Sequence, residues 1–261
     1  MRLLLICFAA CLASCSNLPD PRSPAQGDSE AAVRLLKQSA ARAGHPWQRL
    51  KRVEVAFDGE WTRIVRALQP DLVDADYRKS SREVYWPPLA RVEQTHTGPR
   101  GTKHVRRTPE TIEVRFSGDR TPGETEKDAA ALVADGYTMF LFGCDYLLER
   151  GENWRLRSPD ERRQINGDPC DLVIGTLKPG LGRSEQDEVI AWVSQRDRRL
   201  RRVQFTLNGL ASTAGADVDV TFDDFRSGPQ GTEWPHHFLE TVRRPVTVKA
   251  HEWRMTALEA R

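Results

Sequence analysis

Three cysteines spaced by four residues, Cys7, Cys11 and Cys15, stand near the start of the chain. On a helix that spacing lines three thiols along one face, as a zinc or iron–sulfur ligand set could use. Their neighbours are leucine, isoleucine, phenylalanine and alanine, with no histidine or acid to complete a site, so the sequence argues against a metal. A second candidate is Asp217-Val218-Asp219-Val220-Thr221, a D-x-D-x-T that could supply an aspartyl nucleophile for phosphoryl transfer. That chemistry needs the first aspartate just past an apolar parallel strand. Here residues 211–216 read ASTAGA and alternation continues through Phe222. Asp217, Asp219, Thr221 and Asp223 are therefore expected on one solvent-facing side of a strand. The histidines offer no ligand set. His236 and His237 are adjacent and point to opposite strand faces, and no H-x-x-x-H or H-E-x-x-H occurs. His96 and His104 also fall on opposite faces if Thr97 pairs with Thr102. Residues 175–185 are glycine-rich but lack G-K-[ST], and no G-x-S-x-G elbow appears. The expectation is a protein that is not an enzyme and uses no metal or cofactor.

The elements around the first cysteines suggest another use for them. Met1 and Arg2 precede an uncharged apolar run over residues 3–13, which is the layout of a secretory signal and too short to span a bilayer. Leu12-Ala13-Ser14-Cys15 resembles the bacterial lipobox at every position. The resemblance implies a diacylglycerol thioether on Cys15, cleavage before it and acylation of the new amino terminus. An uncleaved anchor or an ordinary secretory peptide is the rival reading. Ser16 after that cysteine, where aspartate would retain the protein at the inner membrane, implies the outer membrane, facing the periplasm.

Composition narrows the rest. The chain has 261 residues, 39 Lys and Arg against 37 Asp and Glu, and a net charge of +2, which leaves no long basic block. Residues 196–202 (RDRRLRR) and 103–107 (KHVRR) read as solvated strand and turn faces, so no nucleic-acid partner is expected. After Cys15 the only cysteines are Cys144 and Cys170, expected to form one disulfide in an oxidising compartment, with two buried thiols as the alternative.

Three parts are expected: a signal over 1–14, a lipidated flexible tether over 15–28 and one domain over 29–261. Residues 15–28 are rich in Pro, Ser, Asp and Gly, with nothing to bury. A helix follows, with Ser29 as N-cap candidate, Ala32, Leu35, Leu36 and Ala40 on one face and Gly44 as its stop. A second helix over 125–142 carries a broad apolar stripe, Ala129, Leu132, Val133, Tyr137, Phe140 and Leu141. Nearly everything else alternates with period two. Strands are expected at 53–57, 90–97, 102–107, 111–116, 170–177, 187–194, 200–207, 217–225, 235–242 and 251–258. Ten strands with two or three helices give an α+β fold, mostly β. It is expected to be one large curved antiparallel sheet, an incomplete barrel, with the helices covering its concave face.

The C-terminal hairpins resemble those of the LolA/LolB-like superfamily. The resemblance is carried by Arg201-Arg202-Val203, by Phe222-Asp223-Asp224-Phe225-Arg226 and by Gly231 with Pro235 four residues on. It implies a bent half-barrel with an apolar cavity beneath the helices, binding lipid or lipoprotein acyl chains as a carrier or acceptor. Ile190, Trp192, Val203, Phe205, Val220, Phe222 and Phe238 are then the candidate cavity lining. A dry packed core, with a structural or interaction role, demands the same alternation and stays open. Residues 82–90 (REVYWPPLA) are the nearest counterpart of the exposed apolar tip that LolB-type acceptors bring to the membrane.

Overall fold

The computed structural model describes residues 18–24, 26–157 and 163–261. Cys7, Cys11 and Cys15, with the rest of the lipobox, lie outside the described residues.

Helix α1 (Ser29–Ala43) starts where Asp28, rather than Ser29, accepts a hydrogen bond from the Ala31 amide at 2.9 Å. It stops at Gly44, whose left-handed backbone (φ 83°) lets its N–H reach the last-turn carbonyls. A one-turn helix α2 (Pro46–Arg49) leads into strand β1 (Val53–Trp61). Two short helices follow, α3 (Arg63–Leu68) and α4 (Pro70–Val73). Then comes a meander of β2 (Ser80–Trp86), β3 (Arg91–Gly98), β4 (Gly101–Arg107) and β5 (Ile112–Phe116). Helix α5 (Glu124–Arg150) leads to β6 (Gly151–Leu156), the short β7 (Arg163–Ile165) and β8 (Asp168–Leu177). The chain ends in β9 (Asp187–Ser194), β10 (Leu200–Leu207), β11 (Ala216–Ser227), β12 (Glu233–Arg244) and β13 (Val248–Ala260).

All pairs are antiparallel, in the order β5-β4-β3-β2-β1-β13-β12-β11-β10-β9-β8-β6, with β7 on β8. The first meander and the last therefore join through β1 and β13, and β5 and β6 become the two outer edges. Helix α5 is the only connection between those edges, so it must cross the concave face. By length and composition it is apolar enough to cross a membrane, yet 78% of its apolar window is buried within the protein. The helix breaks at Gly143 (φ 52°, ψ −127°), a backbone that glycine tolerates, and a Cβ there would lie 3.2 Å from Leu200. The break lets one long segment follow the curvature of the sheet.

All ten expected strands are present, within a sheet of thirteen. β2, β6 and β7 are additional, as are α2, α3 and α4, and α5 runs eight residues beyond its expected end. Residues 18–22 are also not the free tether that their composition implied. Pro19 and Pro21 are buried, the Pro19 carbonyl accepts from Gln204 Nε2 at 2.7 Å, and Arg22 Nη2 donates to Gly215 O at 2.7 Å. Asp20 pairs with Arg244. This segment lies on the convex face of the sheet.

Candidate functional site: the concave face and its open end

The concave face has two parts with different coverings. Beneath α5 it is full. Phe140 packs against Phe205, Phe222 and Trp253 with ring centroids 5.6, 6.4 and 6.0 Å away. Trp253 stacks between Phe238 (5.0 Å) and Tyr137 (5.2 Å), and Phe57 meets Tyr137 and Phe238 edge-on. Val203, Phe205, Val220, Phe222 and Phe238, expected to line a cavity, are buried within this packing. Beside the break at Gly143 only about 40 Å³ is open, room for a water or two.

Ile190 and Trp192 lie on the other side of the sheet. Register pairs Val203 with Ala191, and Gln204 with Ile190, so Val189, Ala191 and Val193 face α5. Ile190 and Trp192 instead form a convex-face cluster with Cys170, Leu172, Ile174 and Ile165, onto which Leu18 packs. Both phases of β9 are apolar, which is why alternation alone assigned them to the wrong side. The same separation corrects the disulfide. Cys144 sits in the core under α5 and Cys170 on the convex face, and both are free and buried. Burial pushes each thiol up to about 12.

The open end lies past α5, where β11, β12 and β13 run on and α3 and α4 form the wall. A groove of about 980 Å³ opens there, in the size range of small-molecule sites. Trp61, Leu207, Val242, Val248 and Ala250 form its floor, and Val65, Leu68 and Leu72 its helical side. Val242 touches both the central core and the cluster under α3, so the groove continues the core surface rather than standing apart from it. Gln69 and Ser212 clasp across it, with Nε2 to O at 2.9 Å and Oγ to Oε1 at 2.8 Å. Leu68 and Val246 at the rim are 69% and 41% exposed, and Ile64, one helical turn before Leu68, is 57% exposed. The apolar residues open to solvent thus gather mainly here. Of the expected tip at 82–90, Leu89 is exposed but Tyr85 is buried in the core.

One carboxyl belongs to this floor. Glu240 lies between Val220 and His251 in the register, on the concave side, and lines the groove. Among the described residues no hydrogen bond or ion pair reaches it. Burial, opposed by the Arg78 guanidinium and reinforced by the Asp219 charge, raises its carboxyl to about 7. Arg78 is itself buried and committed elsewhere, donating to Leu72 O at 2.7 Å and to Tyr137 Oη at 3.4 Å while lying 5.1 Å over the Trp61 ring. His251 stacks on Trp61 at 4.0 Å with Nδ1 3.3 Å from Tyr137 Oη, and burial holds it well below the ordinary histidine range. No group of three or more His, Cys, Asp or Glu able to hold a metal occurs among the described residues. Thr97 pairs with Thr102, leaving His96 buried and His104 exposed on opposite faces.

The aspartates of the D-x-D-x-T do share one side of β11, but Asp217 and Asp219 are buried, not solvent-facing. Gln204, Arg244 and the docked segment 18–22 cover Asp217, and Arg243 and Arg202 pair with Asp219. Within the arginine-rich stretch, Arg196 and Arg201 pair with Asp168, Arg198 with Asp171 and Arg199 with Glu233. Each of these four arginines thus stands beside an acid.

Residues 62–73 were not assigned from the sequence, although Val65, Leu68 and Leu72 stand at helical spacing there. Glu240 was within an expected strand, in phase with Phe238 and Val242.

These features define an open antiparallel half-barrel whose crossing helix fills its middle and whose end holds an apolar groove with one carboxyl. Solved structures similar to it include a LolA superfamily protein from Nitrosomonas europaea, at 12% identity over 88% of this chain and 93% of that one, with a TM-score of 0.47. A DUF1329 family protein from Desulfovibrio piger matches at 9% identity over 90% and 94%, with a TM-score of 0.44. The Mycobacterium tuberculosis lipoprotein LppX matches at 16% identity over 70% and 91%, with a TM-score of 0.29. No protein-family model and no curated protein matches the chain.

Proposed function

We propose that this chain is a lipid-anchored bacterial envelope protein that binds an acyl chain in the end groove, as a carrier or acceptor. The observation that carries the reading is the groove itself, about 980 Å³ of mainly apolar floor continuous with the core and open at a rim of exposed Leu68 and Val246. Apolar surface left uncovered on this scale favours an apolar occupant. Anchoring rests on Leu12-Ala13-Ser14-Cys15, and Ser16 favours the outer membrane with the domain in the periplasm. The ligand position differs from the one first expected, since the middle of the half-barrel is occupied by Phe140 and its neighbours.

The test is binding of decanol to the full chain, read by isothermal titration calorimetry, with Val242→Trp filling the groove. Affinity should fall at least tenfold in the variant. Equal affinity in both proteins, or no decanol binding to either, would remove the reading. Incorporation of labelled palmitate, lost in Cys15→Ser, checks the anchor separately.

The filled middle favours a second reading, a structural or interaction lipoprotein with a dry core. It predicts that native mass spectrometry of the chain, cleared of detergent, finds no bound or exchangeable lipid.

A further inference from the structure

The groove contains one feature that an acyl chain alone does not require, the carboxyl of Glu240. Half-buried in the groove floor, it faces mainly apolar walls and receives no donor from the protein, so its ionised form loses part of its solvation without compensation. The groups around it show what it lacks. On β11, Val220 stands opposite, and Asp219 points to the convex side, where Arg243 and Arg202 hold it. On β13, His251 stands opposite, kept neutral by burial between Trp61 and Trp253. From α5, Tyr137 presents a hydroxyl already shared by Arg78 and His251. From the segment after α4, Arg78 is the one nearby cation, and its contacts go to Leu72 O, Tyr137 Oη and the Trp61 ring. At the far end Arg244 is tied to Asp20 and Asp217. Among the described residues Arg78, Tyr137, His251 and Arg244 thus have partners within the protein, while the buried Trp61 indole N–H in the groove floor, like the Glu240 carboxyl, has none.

We propose that Glu240 receives the hydrogen-donating, cationic end of an apolar chain lying in the groove, so that the site selects an ammonium head over a carboxylate. This rests on the groove being the ligand site and adds the chemistry of the occupant's polar end. Charge complementarity argues for the ammonium. It brings up to three donors to an acceptor that has none, and its positive charge replaces the solvation that the carboxylate has lost. A carboxylate head would place a like charge beside Glu240 among mainly apolar walls, which a shared proton relieves.

The two heads therefore respond to pH in opposite directions. Glu240 loses its proton near pH 7. An alkylammonium stays charged well above that and a fatty carboxylate stays ionised well below it, as lysine and glutamate do in water. Between pH 5.5 and 8.5 the affinity of decylammonium for the full chain should rise about tenfold, while that of decanoate should fall. Both are read by calorimetry on the wild-type protein, so the result does not depend on a variant folding. In Glu240→Gln the decylammonium profile should become flat. A wild-type profile that is already flat, or one that persists unchanged in Glu240→Gln, overturns the assignment. Decanol separates the two levels of the argument. If decanol binds and Val242→Trp abolishes it, but neither charged head shows the stated pH dependence, the groove reading stands and the role of Glu240 falls. If decanol does not bind, both fall.

Discussion

The middle of the concave face and its open end are made from the same strands, in the same phase, with the same kind of side chain. Val220 and Phe222 on β11 lie under α5, and Ala216 on that strand lines the groove. Phe238 and Val242 on β12 divide in the same way. What differs is the cover. Over the middle, α5 places Tyr137, Phe140 and Leu141 on the sheet, and aromatic rings interlock until only water-sized gaps remain. Over the end, α3 and α4 are only six and four residues long and stand to one side. A short helix carries too few apolar side chains to fill the space that a long one fills. Whether a half-barrel is a packed domain or a container thus depends on what crosses it, not on its strands.

That contrast is most directly broken in the middle. Phe140→Ala should cost about 3–5 kcal/mol, because it removes a buried ring that meets Phe205, Phe222 and Trp253 and leaves a cavity in a close-packed region. Chemical denaturation should show the loss as a lower midpoint with little change in slope. At the groove, Leu68→Ala should cost well under 1 kcal/mol, since Leu68 is 69% exposed. Similar losses at the two positions would mean that the end is as tightly packed as the middle.

A medium-sized effect distinguishes the two regions by charge. Glu240 faces the groove with a carboxyl near 7, against an ordinary value of 4.5 for glutamate. The folded state then holds the proton more tightly than the unfolded chain. This contribution to stability is full below pH 4.5, is lost as pH rises through 7, and stays lost above it. Glu240→Gln keeps the shape and removes the titration, so it should stabilise the protein by about 2 kcal/mol at pH 8.5 and leave it nearly unchanged at pH 4.5. Asp217, raised to about 6 chiefly by burial under the docked N-terminal segment, has the same sign and will leave a shallower slope in the variant. Thermal melts at the two pH values check it. A variant less stable than wild type at pH 8.5 would mean that Glu240 has a partner in the folded protein.

How much of this could be read from the sequence follows from where each signal is local. Strands β10 and β11 were legible because Val203, Phe205, Val218 and Val220 alternate with polar residues, so one face declares itself. β9 was legible as a strand but not in its facing, because Val189 to Val193 are apolar on both sides and the register is set by neighbours. The groove was not legible. Its walls come from residues 61–72, 207–216 and 240–250, three stretches brought together only by the pairing of β1 with β13 and of β11 with β12. Whether the middle was full depended on α5, whose apolar stripe is the same for a lid over a cavity and for a plug in a core. The docking of residues 18–22 was hidden for a different reason. A Pro- and Asp-rich stretch looks unstructured until Gln204, Gly215 and Arg244 are placed beside it.

The smallest expected effect concerns the two faces rather than the two ends. Cys144 belongs to the concave core and Cys170 to the convex cluster, so the sheet itself stands between the thiols. Each is buried and held protonated at neutral pH, which leaves neither a partner nor an attacking thiolate. Addition of a reductant should therefore leave the melting temperature of the folded protein unchanged, where loss of a native disulfide would cost about 2–5 kcal/mol. A thiol reagent should titrate both residues only after unfolding. A reductant-dependent melt would place both thiols on one side of the sheet. It would overturn the division of β8 and β9 into core-facing and convex-facing residues on which the packed middle rests.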